Sequence, residues 1–165
     1  MRVRGYTLIE IVVVIAIVAI VAGAALLAAG AFGGTRIVER EGNRLRELVR
    51  AACERAVTSG HDYGVHLGTS GYGFSVSGYQ LWRPETGGEL RQRVLPEGVI
   101  LAASREGRPL ELTSDAPREP QLVCYASGEL TPFEARIELD RDTAWVVTGE
   151  VDGTLEGHAP EGPMR

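Results

Sequence analysis

Residues 4–34 read RGYTLIEIVVVIAIVAIVAGAALLAAGAFGG, and the placing of charge in this stretch decides the fold. After Glu10 the chain carries no charge for 24 residues, Ile11 to Gly34. A bilayer core of about 30 Å needs roughly 20 helical residues at a rise near 1.5 Å each, so the run is long enough to cross one. A helix buried on one side of a globular core would show polar positions every third or fourth residue. This stretch is apolar all round, and only lipid or a packed bundle suits such a surface. A secretory signal peptide has a shorter apolar region, about 7–15 residues, followed by a small-residue cleavage site. The stretch Ala22 to Ala31 imitates such a site, but the run as a whole is too long for that class.

Glu10 is the informative residue. An acid at the centre of a membrane helix costs about 2.5–3.5 kcal/mol on insertion scales and less nearer the interface. It therefore wants a cation, unless it simply reaches the headgroups. No basic residue follows until Arg36, so a cation must come from upstream or from another chain. Charge counting does not settle sidedness. Arg2 and Arg4 precede the run, while Arg36, Arg40, Arg44, Arg46 and Arg50 follow it, an excess that on its own would put the long C-terminal part in the cytoplasm.

Arg4-Gly5-Tyr6-Thr7-Leu8-Ile9-Glu10 followed by a long apolar run resembles the type IV prepilin signature. That resemblance implies a leader over 1–5, cleavage between Gly5 and Tyr6 by a membrane-embedded prepilin peptidase, and methylation of the new amine on Tyr6. Tyr6 stands where Phe is commoner in the family and keeps the aromatic ring. The resemblance further implies that Glu10 pairs with the N-terminal amine of a neighbouring subunit. It resolves the sidedness too: the leader stays in the cytoplasm, the transmembrane helix covers 6–34 in the inner membrane, and the head faces the periplasm.

Past Gly33-Gly34, a weak point in a helix, an amphipathic pattern resumes. Ile37, Val38, Leu45, Leu48, Val49, Ala52, Ala56 and Val57 recur mostly three or four apart, with Arg and Glu between them. The pattern predicts a helical extension over 35–60, closed at Ser59-Gly60. From Gly60 the texture changes to short alternating runs separated by Gly, Pro, Asp and Ser. Strands are expected at 63–67, 72–77, 79–83, 90–95, 99–103, 109–112, 121–126, 133–140 and 144–150. With no helix between them, they predict antiparallel sheets and an α+β class: a pilin fold, with a β-rich head over 61–156 and a flexible tail over 157–165.

Within that head, Ser127-Gly128-Glu129-Leu130-Thr131-Pro132-Phe133 is similar to a turn of the general secretion pathway protein H family, the minor pseudopilins of type II secretion. Arg93-Val94-Leu95-Pro96-Glu97-Gly98-Val99 fits the same family. Gly128 permits a tight turn, Pro132 fixes φ, and Phe133 returns the chain to the core. The resemblance implies a structural subunit of a periplasmic pseudopilus, with other pseudopilins or pilins, the prepilin peptidase and the inner membrane as partners. A minor pilin of a type IV pilus, including the DNA-uptake type, is the alternative.

Little else in the sequence points to chemistry. The net charge is −5, with 17 basic residues against 22 acidic ones, and the head shows no basic stripe, so nucleic acid is not an expected partner. His61, His66 and His158 form no metal-ligand pattern; Asp62 beside His61 would make at best a weak site, and a solvated surface is the simpler reading. With no Lys there is no phosphate loop of the Gly-Lys kind, and no Ser sits in a nucleophile elbow. No enzyme activity, cofactor, metal or small-molecule substrate is expected. Trp82 and Trp145 read as core or rim residues. Cys53 and Cys124 are either two small buried apolar residues or one disulfide between the helix and a later strand, if the head lies in an oxidising compartment.

Overall fold

A computed structural model describes residues 8–79, 81–114, 117–141 and 143–160, excepting the side chains of 24–33. The chain divides at Gly34 into two compact units, Met1–Gly34 and Thr35–Arg165. Helix α1 spans Leu8–Ser59. Its first-unit part is apolar and has no core to face. In the second unit the helix shows a sided surface: Val38, Leu45, Leu48, Val49, Ala52 and Ala56 are buried, with charged residues between them.

Among the described residues ten strands follow, all paired antiparallel. The first sheet holds β1 (Tyr63–Gly68), β2 (Gly71–Ser77), β3 (Trp82–Pro84), β4 (Arg93–Val94) and β7 (Leu122–Cys124). Its order is β3-β2-β1-β7, with β4 also paired to β2. The second sheet takes β5 (Ile100–Arg105), β6 (Arg108–Pro109), β8 (Phe133–Glu138), β9 (Ala144–Gly149) and β10 (Leu155–His158), in the order β10-β9-β8-β5-β6.

The period-2 pattern sets which faces meet. Tyr63, Val65 and Leu67 on β1 pair with Val76, Phe74 and Tyr72 on β2. Leu101, Ala103 and Arg105 on β5 oppose Ile137, Ala135 and Phe133 on β8. One continuous core joins the helical stripe to the inner faces of both sheets. Each large side chain buried there contributes about 1.5–3 kcal/mol.

Two local devices place the elements. At 41–42 the apolar stripe is interrupted by Glu41 and Gly42. A Cβ on Gly42 would lie 2.2 Å from Cδ1 of Trp145; the missing side chain is the space in which the indole seats on the helix. The second device is the turn at Gly128. Gly128 has φ of 96°. Its N–H donates to the Tyr125 carbonyl at 3.0 Å, while the Tyr125 N–H donates to the Glu129 carbonyl at 2.8 Å. Leu130 then bridges back to Cys124, and Phe133, buried, opens β8 in the other sheet.

Several expectations need adjusting. The strand expected at 90–95 is only Arg93–Val94, and that at 109–112 is Arg108–Pro109, because both segments reach the sheet only where a hairpin or a short edge touches it. The tail does not begin at 157: Gly157 and His158 pair with Val147 and Val146 as the end of β10. Gly157 lies where a Cβ would stand 3.0 Å from Nε1 of Trp145 and 3.3 Å from Oδ1 of Asn43. A residue that looks like loosening in the sequence is thus the small side chain a crowded strand requires.

Candidate assembly surface

From Leu8 to Val21, eleven large apolar side chains are exposed on α1, from Ile11 at 48% to Leu8 at 84%. They leave no side of the helix polar except at Glu10, which lies in its first turn. So much contiguous apolar surface is a mark of association with lipid or with other helices.

Gly5 and Tyr6 lie outside the described residues. Among the described residues, no helix is long and apolar enough to cross a membrane. From Thr35 onward α1 carries Arg36, Glu39, Arg40 and Glu41, which excludes that half from a bilayer core.

In the head, Cys53 on α1 and Cys124 on β7 are joined as a disulfide, with Cα atoms 4.8 Å apart and a sequence separation of 71. Cys124 pairs with Tyr63 in register and so shares the inner face of the sheet, towards the helix. The bond thus ties the helix to the sheet's β7 edge.

Sequence reading gave no role to two polar groups here. Glu41 is 3% exposed and accepts two hydrogen bonds from Arg44 Nη1, at 3.0 and 3.1 Å, with Arg40 Nε 3.5 Å away. It lies on the buried stripe, and its partners reach in from the solvent side of the same helix. His66, 8% exposed, lies on the outer face of the first sheet, not in solvent. Its Nδ1–H donates to the Pro117 carbonyl at 2.9 Å, which leaves Nε2 to accept from the Ser75 hydroxyl at 2.7 Å. Burial pushes the imidazole pKa down, and the hydrogen bonds to the Pro117 and Glu119 carbonyls offset this only in part. Ser75 is fully buried, so the pair stitches the 117–121 segment to the sheet and does not offer a nucleophile. Strand alternation gave one clue, because it puts His66 opposite the core; what covers that face comes from 51 residues later in the chain.

A family model described as the prokaryotic N-terminal methylation motif matches residues 1–26. Type II secretion system protein H of Pseudomonas aeruginosa is 32% identical over 146 residues, covering 81% of this chain and 82% of that protein. The protein of the same name from Aeromonas hydrophila is 27% identical over 164 residues, covering 92% and 90%. Among solved structures, the minor pseudopilin EpsH from the type II secretion system of Vibrio cholerae aligns with a TM-score of 0.64 and 26% identity, over 78% of this chain and 97% of that one. The solution structure of GspH from Escherichia coli shares the fold, with a TM-score of 0.56, 21% identity, and 78% and 89% coverage. The likeness to the Pseudomonas protein runs through four-fifths of both chains, and the helix-on-two-sheets head is that of a solved minor pseudopilin: the chain belongs to the type II secretion system protein H family.

Proposed function

We propose that this chain is the precursor of a minor pseudopilin that enters the periplasmic pseudopilus of a type II secretion system through its N-terminal helix. Prepilin peptidase cuts between Gly5 and Tyr6, and the amine of Tyr6 is methylated. The segment 6–34 lies in the inner membrane, with the head in the periplasm. Within the filament the carboxylate of Glu10 pairs with the N-terminal amine of a neighbouring subunit. The role is structural: the chain supplies packing surface, and no reaction is assigned to it.

The observation that carries this reading is an acid in the first turn of a helix whose other exposed side chains, Leu8 to Val21, are apolar. A charge so placed is tolerable when a neighbour supplies the opposite one. Membership of the protein H family favours the secretion filament over a type IV pilus, and the acidic head offers no stripe for DNA.

The test is co-expression with a prepilin peptidase and the other pseudopilins. The mature chain should begin at Tyr6, by N-terminal sequencing or mass spectrometry; any other start would sink the processing claim. Glu10→Val should insert in the membrane as the parent does but drop out of filaments recovered by shearing. Normal incorporation of that variant would refute the pairing.

A further inference from the structure

The first sheet is covered on both faces, but its outer cover has a gap. β3 pairs with β2 at Ser75–Ser77 and β4 pairs with it at Gly71–Tyr72. The chain between them, 85–92, makes an excursion away from the sheet. On the opposite side, the 117–120 segment lies over β1, held by the His66 bond to the Pro117 carbonyl and by Pro120, which fills the space above Gly64. Between these two walls is a groove of about 520 Å³, floored by His66, Gly73 and Phe74. That volume is in the range of ligand sites, roughly 300–1,000 Å³.

The walls define the chemistry. Each brings one guanidinium, Arg91 from the excursion and Arg118 from the other side. Among the described residues Glu85 is the only acid lining the groove, and burial lowers the pKa of the His66 imidazole in its floor. The groove is therefore locally cationic on a chain whose net charge is −5. Pro84 and Pro117 give it apolar flanks. Arg91, one of whose Nη1–H groups donates to the Gly88 carbonyl at 3.0 Å, and Arg118 each offer a guanidinium that suits a carboxylate through charge-assisted hydrogen bonds. The floor is open at Gly73, where an added Cβ would first meet Cγ of the Gln92 side chain, at 3.7 Å.

We propose that this groove binds an extended acidic peptide segment of a second polypeptide, with Arg91 and Arg118 clasping its carboxylates from opposite walls. The site is distinct from the helical assembly surface, so its failure would leave the pseudopilin reading standing.

The experiment uses the full chain in detergent micelles and a fluorescein-labelled acetyl-Glu-Val-Glu-Val-Glu-amide, followed by fluorescence anisotropy. Saturable binding is expected. Arg91→Glu and Arg118→Glu should each weaken it about tenfold or more, the loss of a charge-assisted pair. Arg141→Glu, the same charge change on an exposed residue between β8 and β9 of the other sheet and outside the groove lining, should leave it within about twofold. Gly73→Val should block the floor without altering any charge. All four variants should melt at the parental temperature, and the His66 ring and Gly73 amide resonances should move on titration. The proposal is overturned if the lysine counterpart, acetyl-Lys-Val-Lys-Val-Lys-amide, or an oligothymidylate binds as well as the acidic peptide. It is equally overturned if Arg141→Glu weakens binding as much as the groove variants, or if the two resonances stay still.

Discussion

Cutting the bond between Cys53 and Cys124 should lower the stability of the head by about 4 kcal/mol. The figure follows from chain entropy: the bond closes a loop spanning 71 positions, and removing the closure frees the unfolded chain by roughly 15 cal/mol/K, or about 4 kcal/mol near room temperature. The native state loses little in exchange, because Cys124 is fully buried and an alanine there keeps the site apolar. The head unit, Thr35–Arg165, is of a size at which each kcal/mol moves the midpoint by about 3–5 °C, so the expected fall is roughly 12–20 °C. The assay is thermal unfolding of the full chain in detergent, followed by near-ultraviolet circular dichroism, with and without a phosphine reductant. Cys53→Ala/Cys124→Ala serves as the permanently open form, and mass spectrometry reports the redox state. If the oxidised and reduced chains melt within about 3 °C of each other, the closure argument fails.

Two further expectations concern the packing. Gly42→Ala places a methyl 2.2 Å from the Trp145 ring, so the indole must leave its seat; the head should lose about 1–3 kcal/mol, with Trp145 emission shifting to the red. His66 gives a pH signature. Its folded pKa is lowered, so the unfolded chain takes up the proton first, and stability present above about pH 6.5 is lost as the pH falls below it. The slope from this one group is at most about 1.4 kcal/mol per pH unit, and His66→Gln should flatten the stability profile below about pH 6.5.

The elements were legible where the signal is local. Residues 11–34 announce their surroundings by lacking charge, and the 35–60 pattern gives the helical face that the structure buries, from Val38 to Ala56. Val57 is the exception: it is exposed, on the other side of the last turn of α1 from Ala56, which is the last helical residue in the core. The strands with clear alternation, β1, β2, β8 and β9, lie within a residue or two of their expected bounds. Features that depend on distant chain segments were not legible. Nothing near Gly42 says that an indole from position 145 needs its space, and nothing near His66 says that a proline carbonyl will cover it. Glu41 hides for a related reason: it occupies a core phase of the helix, but its charge suggests solvent, and its pairing with Arg44 and Arg40 reconciles the two. In the candidate surface, Glu10 was visible from the sequence as an anomaly, whereas the groove between Arg91 and Arg118 arises from two loops that fold over one sheet face.

The strand order has a consequence for how the head is made. β1 and β2 meet across a two-residue turn, and β8, β9 and β10 follow one another as a meander, so these contacts can form as soon as the residues exist. The pairings that close each sheet, β1 with β7 and β5 with β8, join segments separated by long loops. A chain emerging residue by residue therefore holds a half-built first sheet, its β1 edge open, until Leu122–Cys124 arrives. Until then that edge is a template for any stray strand, and the time taken to deliver these residues sets how long the nascent head is vulnerable to aggregation.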